Sequence, residues 1–489
     1  MPIHDLIVLG GGSAGLTAAV GAATQGARTA LIERDRPGGD CLWTGCVPSK
    51  ALLSVAERAH TVRTAGAYGV HADPPRVDLA EAMAHVRSAI ATIAPHDSPE
   101  RLRSDGVEVI SGTGRFTGPD RVEVDGRTLR FRRAMVATGA RPLVPPIPGL
   151  REAEHLTSDT LWDLEVLPDR LVVLGGGPIG AELGQAFARL GSRVTIVELA
   201  DQLLPREEPA AGAALAASLT ADGVDVRVAT EAVRVEPVRV EPVRDHPDQR
   251  QLVVRHGGSE HVIGYDALLV ALGRRPSTAD LGLDAAEIEL DERGAVRVDE
   301  RLRTTNPRVY AGGDATMLLP FTHTASAHGA TVVQNALFGL RRRVDHERIP
   351  WVTFTDPEVA RVGLSVAEAR ERYGDGVKVR TARHSDLDRA VAGGQTGGFA
   401  TLVGDPKGGI VGATVVGPRA GETIGEVVAW QAGGAKLSTI VRSTHAYPTW
   451  SEDLTAASLA ELRAGLTRLR PVTAGLLRLR RLMPVRAGS

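Results

Sequence analysis

The feature that most constrains this chain is a pair of glycine fingerprints, each set between a strand-like run and a helix-like run. Gly10-x-Gly12-x-x-Gly15 follows the apolar stretch His4 to Leu9, and Gly175-x-Gly177-x-x-Gly180 follows Arg170 to Leu174. The patterns that come next, Ser13 to Gln25 and Ala181 to Leu190, read as helices. Each leads to another β-prone run, Arg28 to Glu33 and Arg193 to Glu198. Strand, glycine turn, helix and strand make a βαβ unit. In such a unit the first glycine permits the tight turn, the second lets backbone approach a pyrophosphate, and the third lets the helix pack close to the strand. The free N–H groups of the helix start favour the phosphates. Glu33 and Glu198 close the second strands, where a carboxylate can accept from ribose hydroxyls. Two such units predict an α/β chain with two dinucleotide sites.

With 489 residues the chain is too long for one core. A hydrophobic share of 43% is that of a globular protein. The net charge of −2 gives no general attraction to nucleic acid, and none is expected as a partner. Leu6 to Ala27 carries no charge, but Gly10, Gly11, Gly12, Gly15 and Gly21 interrupt it, so a phosphate loop explains it better than a membrane span. The N-terminus shows no basic leader or cleavage site, and a cytoplasmic location is expected.

Between the fingerprints, Ala51 to about Ile93 reads as helical, Val107 to Phe131 as strands and turns, and Pro142 to Pro148 as a linker. Val233 to Arg244 holds the near-repeat VRVEP twice, which suits a strand with an expanded hairpin. Arg348 to Leu454 mixes helix and strand patterns without a glycine fingerprint and reads as a separate α+β domain. Beyond Ala456 the chain turns basic, with seven arginines (Arg463, Arg468, Arg470, Arg478, Arg480, Arg481 and Arg486) and no acid after Glu461. Pro471 and Pro484 are expected to break any helix there, leaving a frayed extension whose attachment to a membrane is disfavoured.

The chain has two cysteines, Cys41 and Cys46, in the stretch Gly38-Gly39-Asp40-Cys41-Leu42-Trp43-Thr44-Gly45-Cys46-Val47-Pro48-Ser49-Lys50. A pair five residues apart cannot bridge across a regular helix, but a distorted turn at a helix start can bring the sulfurs together. Cysteines at a helix N-terminus beside a lysine have a lowered pKa. A metal site needs more Cys or His nearby, so no metal is expected. The reading is a redox-active pair.

This stretch resembles the signature of the class I pyridine-nucleotide-disulfide oxidoreductases, which include dihydrolipoamide dehydrogenase, glutathione reductase and mercuric reductase, and the resemblance runs from Asp5 to about Glu452. It implies two Rossmann-like domains and a C-terminal α+β dimerisation domain. FAD would occupy residues 1–155 and 273–346, NAD(P) residues 156–272, and dimerisation residues 347–456, with 457–489 as a basic tail. It implies that Gly10, Gly12, Gly15, Glu33, Thr138, Gly139, Gly313 and Asp314 contact FAD, and that Gly175, Gly177, Gly180 and Glu198 contact the nicotinamide coenzyme. Because Glu198 would repel a 2′-phosphate and Leu199 and Ala200 follow it, NADH is expected, with NADPH as the alternative. Lys50 would pair with Glu182 at the nicotinamide–flavin contact. Cys46 would be the sulfur next to the flavin and Cys41 the thiol that meets a disulfide or small-molecule acceptor.

The family's disulfide reductases end in His-Pro-Thr-x-x-Glu, whose histidine protonates the leaving thiol. Here the segment reads His445-Ala446-Tyr447-Pro448-Thr449-Trp450-Ser451-Glu452, with Tyr447 at the histidine position. An ordinary phenol is a poor shuttle near neutrality. His445 would lie on the same face if the segment is extended, and could replace the histidine. Tyr447 and Asp388-Arg389-Ala390 are similar to mercuric reductase, but the C-terminal cysteine pair of that enzyme is missing. In the family the two subunits of a homodimer share each site, so Tyr447 and Glu452 would serve the partner. The acceptor stays open between mercuric reductase-like and dihydrolipoamide dehydrogenase-like chemistry. The alternatives are a quinone or dye reductase using the flavin directly, and a flavin-bearing subunit of a larger complex.

Overall fold

A computed structural model describes residues 3–236 and 250–482. The second copy of the VRVEP near-repeat, Met1, Pro2, Pro484 and Arg486 lie outside the described residues. The described residues form two compact units. One takes the chain up to Pro205 together with Ala216–His346, and the other takes Arg206–Leu215 together with the chain from Glu347 onward.

In the first unit, His4–Leu9 is the centre of a parallel sheet, flanked by Thr29–Glu33 and then Glu108–Ser111 on one side and by Arg127–Val136 and then Val309–Ala311 on the other. Arg127–Val136 belongs to two layers. Its second half pairs with the central strand, and its first half pairs antiparallel with Arg121–Val124, which continues to Arg115–Gly118. Leu6, Ile7, Val8 and Leu31 are fully buried, as expected for strands covered on both faces. Alanines 18, 19 and 22 face the core from the helix Ser13–Thr24. Such small side chains let the helix Thr322–Phe338 come close: a Cβ on Gly329 would lie 2.4 Å from the Ala14 carbonyl oxygen.

The second fingerprint builds a smaller parallel sheet in the order Asp225–Arg227, Arg193–Val197, Arg170–Leu174, Ala267–Val270. Beside it Thr230–Glu236, Arg250–His256 and Ser259–Tyr265 form an antiparallel sheet, so Val233–Glu236 of the first VRVEP copy lie in a strand, as the alternation predicts. The expected linker begins inside a strand, because Ala140–Pro142 pairs with Arg274–Pro276. The expected long helical stretch is two helices, Cys46–Thr64 and Leu79–Ile93, parted by Gly69 at φ +79° and by Pro74 and Pro75. Asp78 restarts the chain as an N-cap, its carboxylate accepting from the Glu81 N–H.

The second unit is a five-stranded antiparallel sheet, ordered Trp351–Thr353, Glu358–Gly363, Ile410–Gly417, Phe399–Gly404, Lys378–Arg383, and covered by the helices Ala420–Ala432 and Glu452–Arg481. The segment from Arg206 joins it because the Arg361 guanidinium donates to the Arg206 carbonyl and the Val366 N–H to Glu208 Oε1, both at 2.6 Å. The tail departs from expectation: the last helix runs unbroken through Pro471. One proline removes a single donor and crowds the preceding turn, while the leucines, arginines and alanines around it are strong helix formers. Among the described residues no helix is long and apolar enough to cross a membrane.

Candidate active site

The two fingerprints take the same shape. Gly10 and Gly175 turn with φ +102° and +107°, and a Cβ on Gly15 or Gly180 would lie 1.9 Å from the carbonyl oxygen of Gly10 or Gly175. Both closing glutamates are clamped alike. Glu33 accepts from the N–H groups of Gly11 (2.6 Å) and Asp35 (2.9 Å), and Glu198 from those of Gly176 (2.6 Å) and Ala200 (2.8 Å). Each carboxylate oxygen keeps a lone pair for a further donor.

The cysteine segment is packed on the first fingerprint. Gly39, at φ +58°, abuts Gly12 so closely that a Cβ would come within 2.6 Å of its Cα. Cys41 lies on the short helix Gly39–Trp43, and Cys46 is the first residue of the helix Cys46–Thr64. Thr44 and Gly45 break the two apart, so the sulfurs come within hydrogen-bonding reach of each other. Cys46 Sγ also lies 3.2 Å from the Thr322 hydroxyl. These contacts divide the pair. The hydrogen bond from Cys41, aided by Thr322 and by the Lys50 charge, lowers Cys46 to about 6 against the opposing effect of burial. Cys41 is pushed above the ordinary thiol range by its bond to Cys46 and by burial. The contacts thus make Cys46 the more acidic thiol of the two.

Lys50, one turn after Cys46, meets Glu182 at 2.8 Å. Glu182 is buried on the helix that the second fingerprint opens, Pro178–Leu190. Residues 132 apart in sequence thus join the second fingerprint to the cysteine helix.

Gly313 and Asp314 follow the strand Val309–Ala311. Burial raises the pKa of Asp314. Arg274 reaches Asp40 at 2.7 Å and Asp314 at 3.7 Å. The Gly313 N–H donates to His328 Nδ1 at 3.0 Å, which leaves His328 Nε2 to donate its proton to His346 Nε2 at 2.9 Å. Burial holds His328 down to about 4, so it keeps that neutral form. Three residues of the site thus escaped the sequence reading: Arg274, Thr322 and His328. Only Arg274, directly after Gly273 in the strand that pairs with Ala140–Pro142, carried a local signal.

A dinucleotide fits this site. The Thr138 hydroxyl is buried with no hydrogen-bond partner among the described residues, and a Cβ on the neighbouring Gly139 would meet none of them within 4 Å. An orphaned buried donor costs about 1–3 kcal/mol, so a ligand that satisfies it is stabilised there. Gly177 likewise has open space where a side chain would stand.

In the second unit, Tyr447 is 70% exposed. Its hydroxyl donates to Asp388 Oδ2 at 2.7 Å, which raises the phenol pKa further. His445 does not share a strand face with it, because residues 443–450 form no strand. His445 Nε2 pairs with Glu426 at 2.7 Å, its Nδ1 lies 2.8 Å from the Thr455 hydroxyl, and the ring packs on Trp430. Both ring nitrogens are engaged within the unit. Glu452 opens the last helix and accepts from the Thr449 N–H at 3.1 Å.

Residues 4–329 match the model of the pyridine nucleotide-disulphide oxidoreductases, and residues 349–458 that of their dimerisation domain. Dihydrolipoyl dehydrogenase of Thermus scotoductus is 37% identical over 94% of this chain and 98% of its own length. Mercuric reductase of Streptomyces lividans is 35% identical over 93% of this chain and 95% of its own. The HOCl-induced flavoprotein disulfide reductase RclA of Escherichia coli, in a structure of its Cu(II) complex, superposes with TM-score 0.79 at 30% identity, covering 92% of this chain and 98% of that one. The chain belongs to the pyridine nucleotide-disulphide oxidoreductases, FAD enzymes that pass electrons between NAD(P)H and a redox-active cysteine pair and dimerise through a C-terminal domain.

Proposed function

We propose that this oxidoreductase passes its electrons to a thiophilic metal ion, such as the cupric or mercuric ion, held at Cys41 and Cys46. Residues 1–155 and 273–346 would bind FAD through Gly10, Gly12, Gly15, Glu33, Thr138, Gly139, Gly313 and Asp314. Residues 156–272 would bind NADH through Gly175, Gly177, Gly180 and Glu198. FAD, when bound, carries electrons from the nicotinamide to the cysteine pair. The protein's own groups do the rest. Lys50 stabilises the Cys46 thiolate and is held in place by Glu182, while Cys41 exchanges with the acceptor. In the homodimer, Tyr447 and Glu452 (residues 347–456 forming the interface) would complete the partner's site.

The observation that carries the metal reading is the chemistry at Tyr447. A disulfide acceptor needs a proton delivered to its leaving thiol, and a phenol bonded to Asp388 with a raised pKa does not deliver one at neutral pH. His445 is committed to Glu426 and Thr455. A metal ion needs electrons and thiolate ligands but no proton: two electrons reduce one mercuric ion to the metal, or two cupric ions to cuprous. The similarity to mercuric reductases and to a reductase solved with Cu(II) points the same way.

The test is anaerobic NADH oxidation with mercuric ion, cupric ion, lipoamide, glutathione disulfide and a quinone. General acid catalysis contributes about 10²–10⁴-fold, so metal turnover should exceed disulfide turnover by about a hundredfold. Faster turnover with lipoamide or glutathione disulfide would overturn the reading. So would full metal turnover by a Cys41→Ser, Cys46→Ser double variant, which would favour direct reduction by the flavin.

Coenzyme choice gives a second test. Glu198→Gln keeps the shape but removes the charge that repels a 2′-phosphate. A charged hydrogen bond is worth about 1.5–3 kcal/mol, so the ratio of NADPH to NADH efficiency (kcat/KM) should rise at least about tenfold. An unchanged ratio would remove Glu198 from coenzyme selection.

A further inference from the structure

The last helix, Glu452–Arg481, changes character along its length. Its first turns are part of the second unit: Leu454, Ala457 and Ser458 are buried, and Glu461 pairs with Lys378 and Arg380 at 2.9 and 2.6 Å. Beyond Ala464 the described residues of the helix are, apart from Ala474, exposed. Leu466, Leu469, Val472, Leu476 and Leu479 recur at three- and four-residue intervals and are each more than half exposed. At 3.6 residues per turn they share one face. Arg463, Arg470, Arg478 and Arg481 fall along the flank and back of that face. No acid follows Glu461 to balance them.

Each alternative occupant leaves part of this pattern unexplained. A second copy of the helix packed leucine to leucine would bring Arg480 of both chains into the seam with no carboxylate after Glu461 to pair it. Nucleic acid would satisfy the arginines but leave the leucines in water. An anionic lipid surface satisfies both at once: acyl chains take the leucine face, and headgroup phosphates take the guanidinium flanks. Arg480 stands on the leucine side, one turn after Leu476, where its aliphatic stem can reach up to the headgroups. Among the described residues no helix can span a bilayer, so the helix would lie along the surface.

We propose that the Arg463–Arg481 part of the last helix is an amphipathic anchor that docks this reductase on an anionic membrane surface. The face of the helix, rather than its ends, makes the contact, and the oxidoreductase site is left unaltered.

The test is flotation of the full-length, FAD-loaded protein with phosphatidylcholine vesicles, with and without phosphatidylglycerol. Binding should appear with the anionic vesicles and weaken with added salt. Each arginine near such a surface contributes about five-fold in partitioning, so Arg478→Gln with Arg481→Gln should lower binding about 25-fold. Leu469→Ser with Leu476→Ser should abolish it. NADH-driven bleaching of the flavin should be the same in all three proteins, which separates failure of the anchor from failure of the enzyme. Three results would overturn the proposal: equal binding to neutral and anionic vesicles, binding to DNA but not to vesicles, or self-association lost in the leucine variant without any vesicle binding.

Discussion

Alkylation of Cys46 in the reduced protein is expected to follow a titration midpoint near pH 6, well below the value of about 8.5 for a free thiol. Only the thiolate reacts, and the folded protein lowers the pKa of Cys46. Reactivity should therefore be at its plateau at neutral pH and above, and should fall about tenfold for each pH unit below the midpoint. Cys41, displaced upward, should react more slowly than Cys46 over the same range. The causes also rank the variants. The hydrogen bond from Cys41 is the largest, so Cys41→Ala should raise the midpoint most. Thr322→Val should follow, and Lys50→Met should shift it less. Peptide mapping of the alkylated sites against pH reads all of this without any acceptor. A midpoint near the free-thiol value, or Cys41 reacting first, would sink the assignment of Cys46 as the standing thiolate. Cys46→Ser should reduce metal turnover to background while leaving FAD bound, because its side-chain partners are Thr322 and Cys41.

The parts of the site that could be read in the sequence were those whose cause is local. A turn at φ above +100° and a helix packed onto its own strand require glycine at fixed offsets, so both fingerprints and their closing glutamates were plain. The cysteine pair was equally plain, since glycines on either side set up the break between two helices. The pairing of Lys50 with Glu182 came from family resemblance alone, because no local pattern links residues 132 apart. His328 was beyond reach for a related reason. Its value lies in accepting the Gly313 N–H, and a histidine in the middle of a helix carries no mark of that. His445 was misplaced because its expected role assumed an extended segment, whereas the chain there is irregular and turns the ring toward Glu426. The tail is helical against expectation because one proline, Pro471, does not outweigh the leucines and arginines around it.

Gly180→Ala and Gly177→Ala should fail in opposite ways, although the two sites are three residues apart. The alanine methyl at position 180 would lie 1.9 Å from the Gly175 carbonyl oxygen, which is backbone and cannot swing aside. The helix must lift from its strand, so the sheet Arg170–Leu174 with Arg193–Val197 loses packing. Overpacking of this kind costs about 1–3 kcal/mol or more, and a lowered Tm should accompany loss of NADH binding. Position 177 is different. Its φ of −72° suits alanine, and the methyl would meet no protein atom within 4 Å. Gly177→Ala should therefore melt like the unaltered protein and stay yellow with FAD. Its affinity for NADH should still fall about tenfold or more if, as proposed, the free space takes the coenzyme's pyrophosphate. The first fingerprint repeats the contrast: Gly15→Ala, again 1.9 Å from a carbonyl, should give a colourless or poorly folded protein. Thermal melts, flavin absorbance and NADH titration separate these outcomes. If Gly177→Ala bound NADH normally, that space would not be where the coenzyme lies. If Gly180→Ala kept its Tm, the close approach of helix to turn would not be what fixes the glycine.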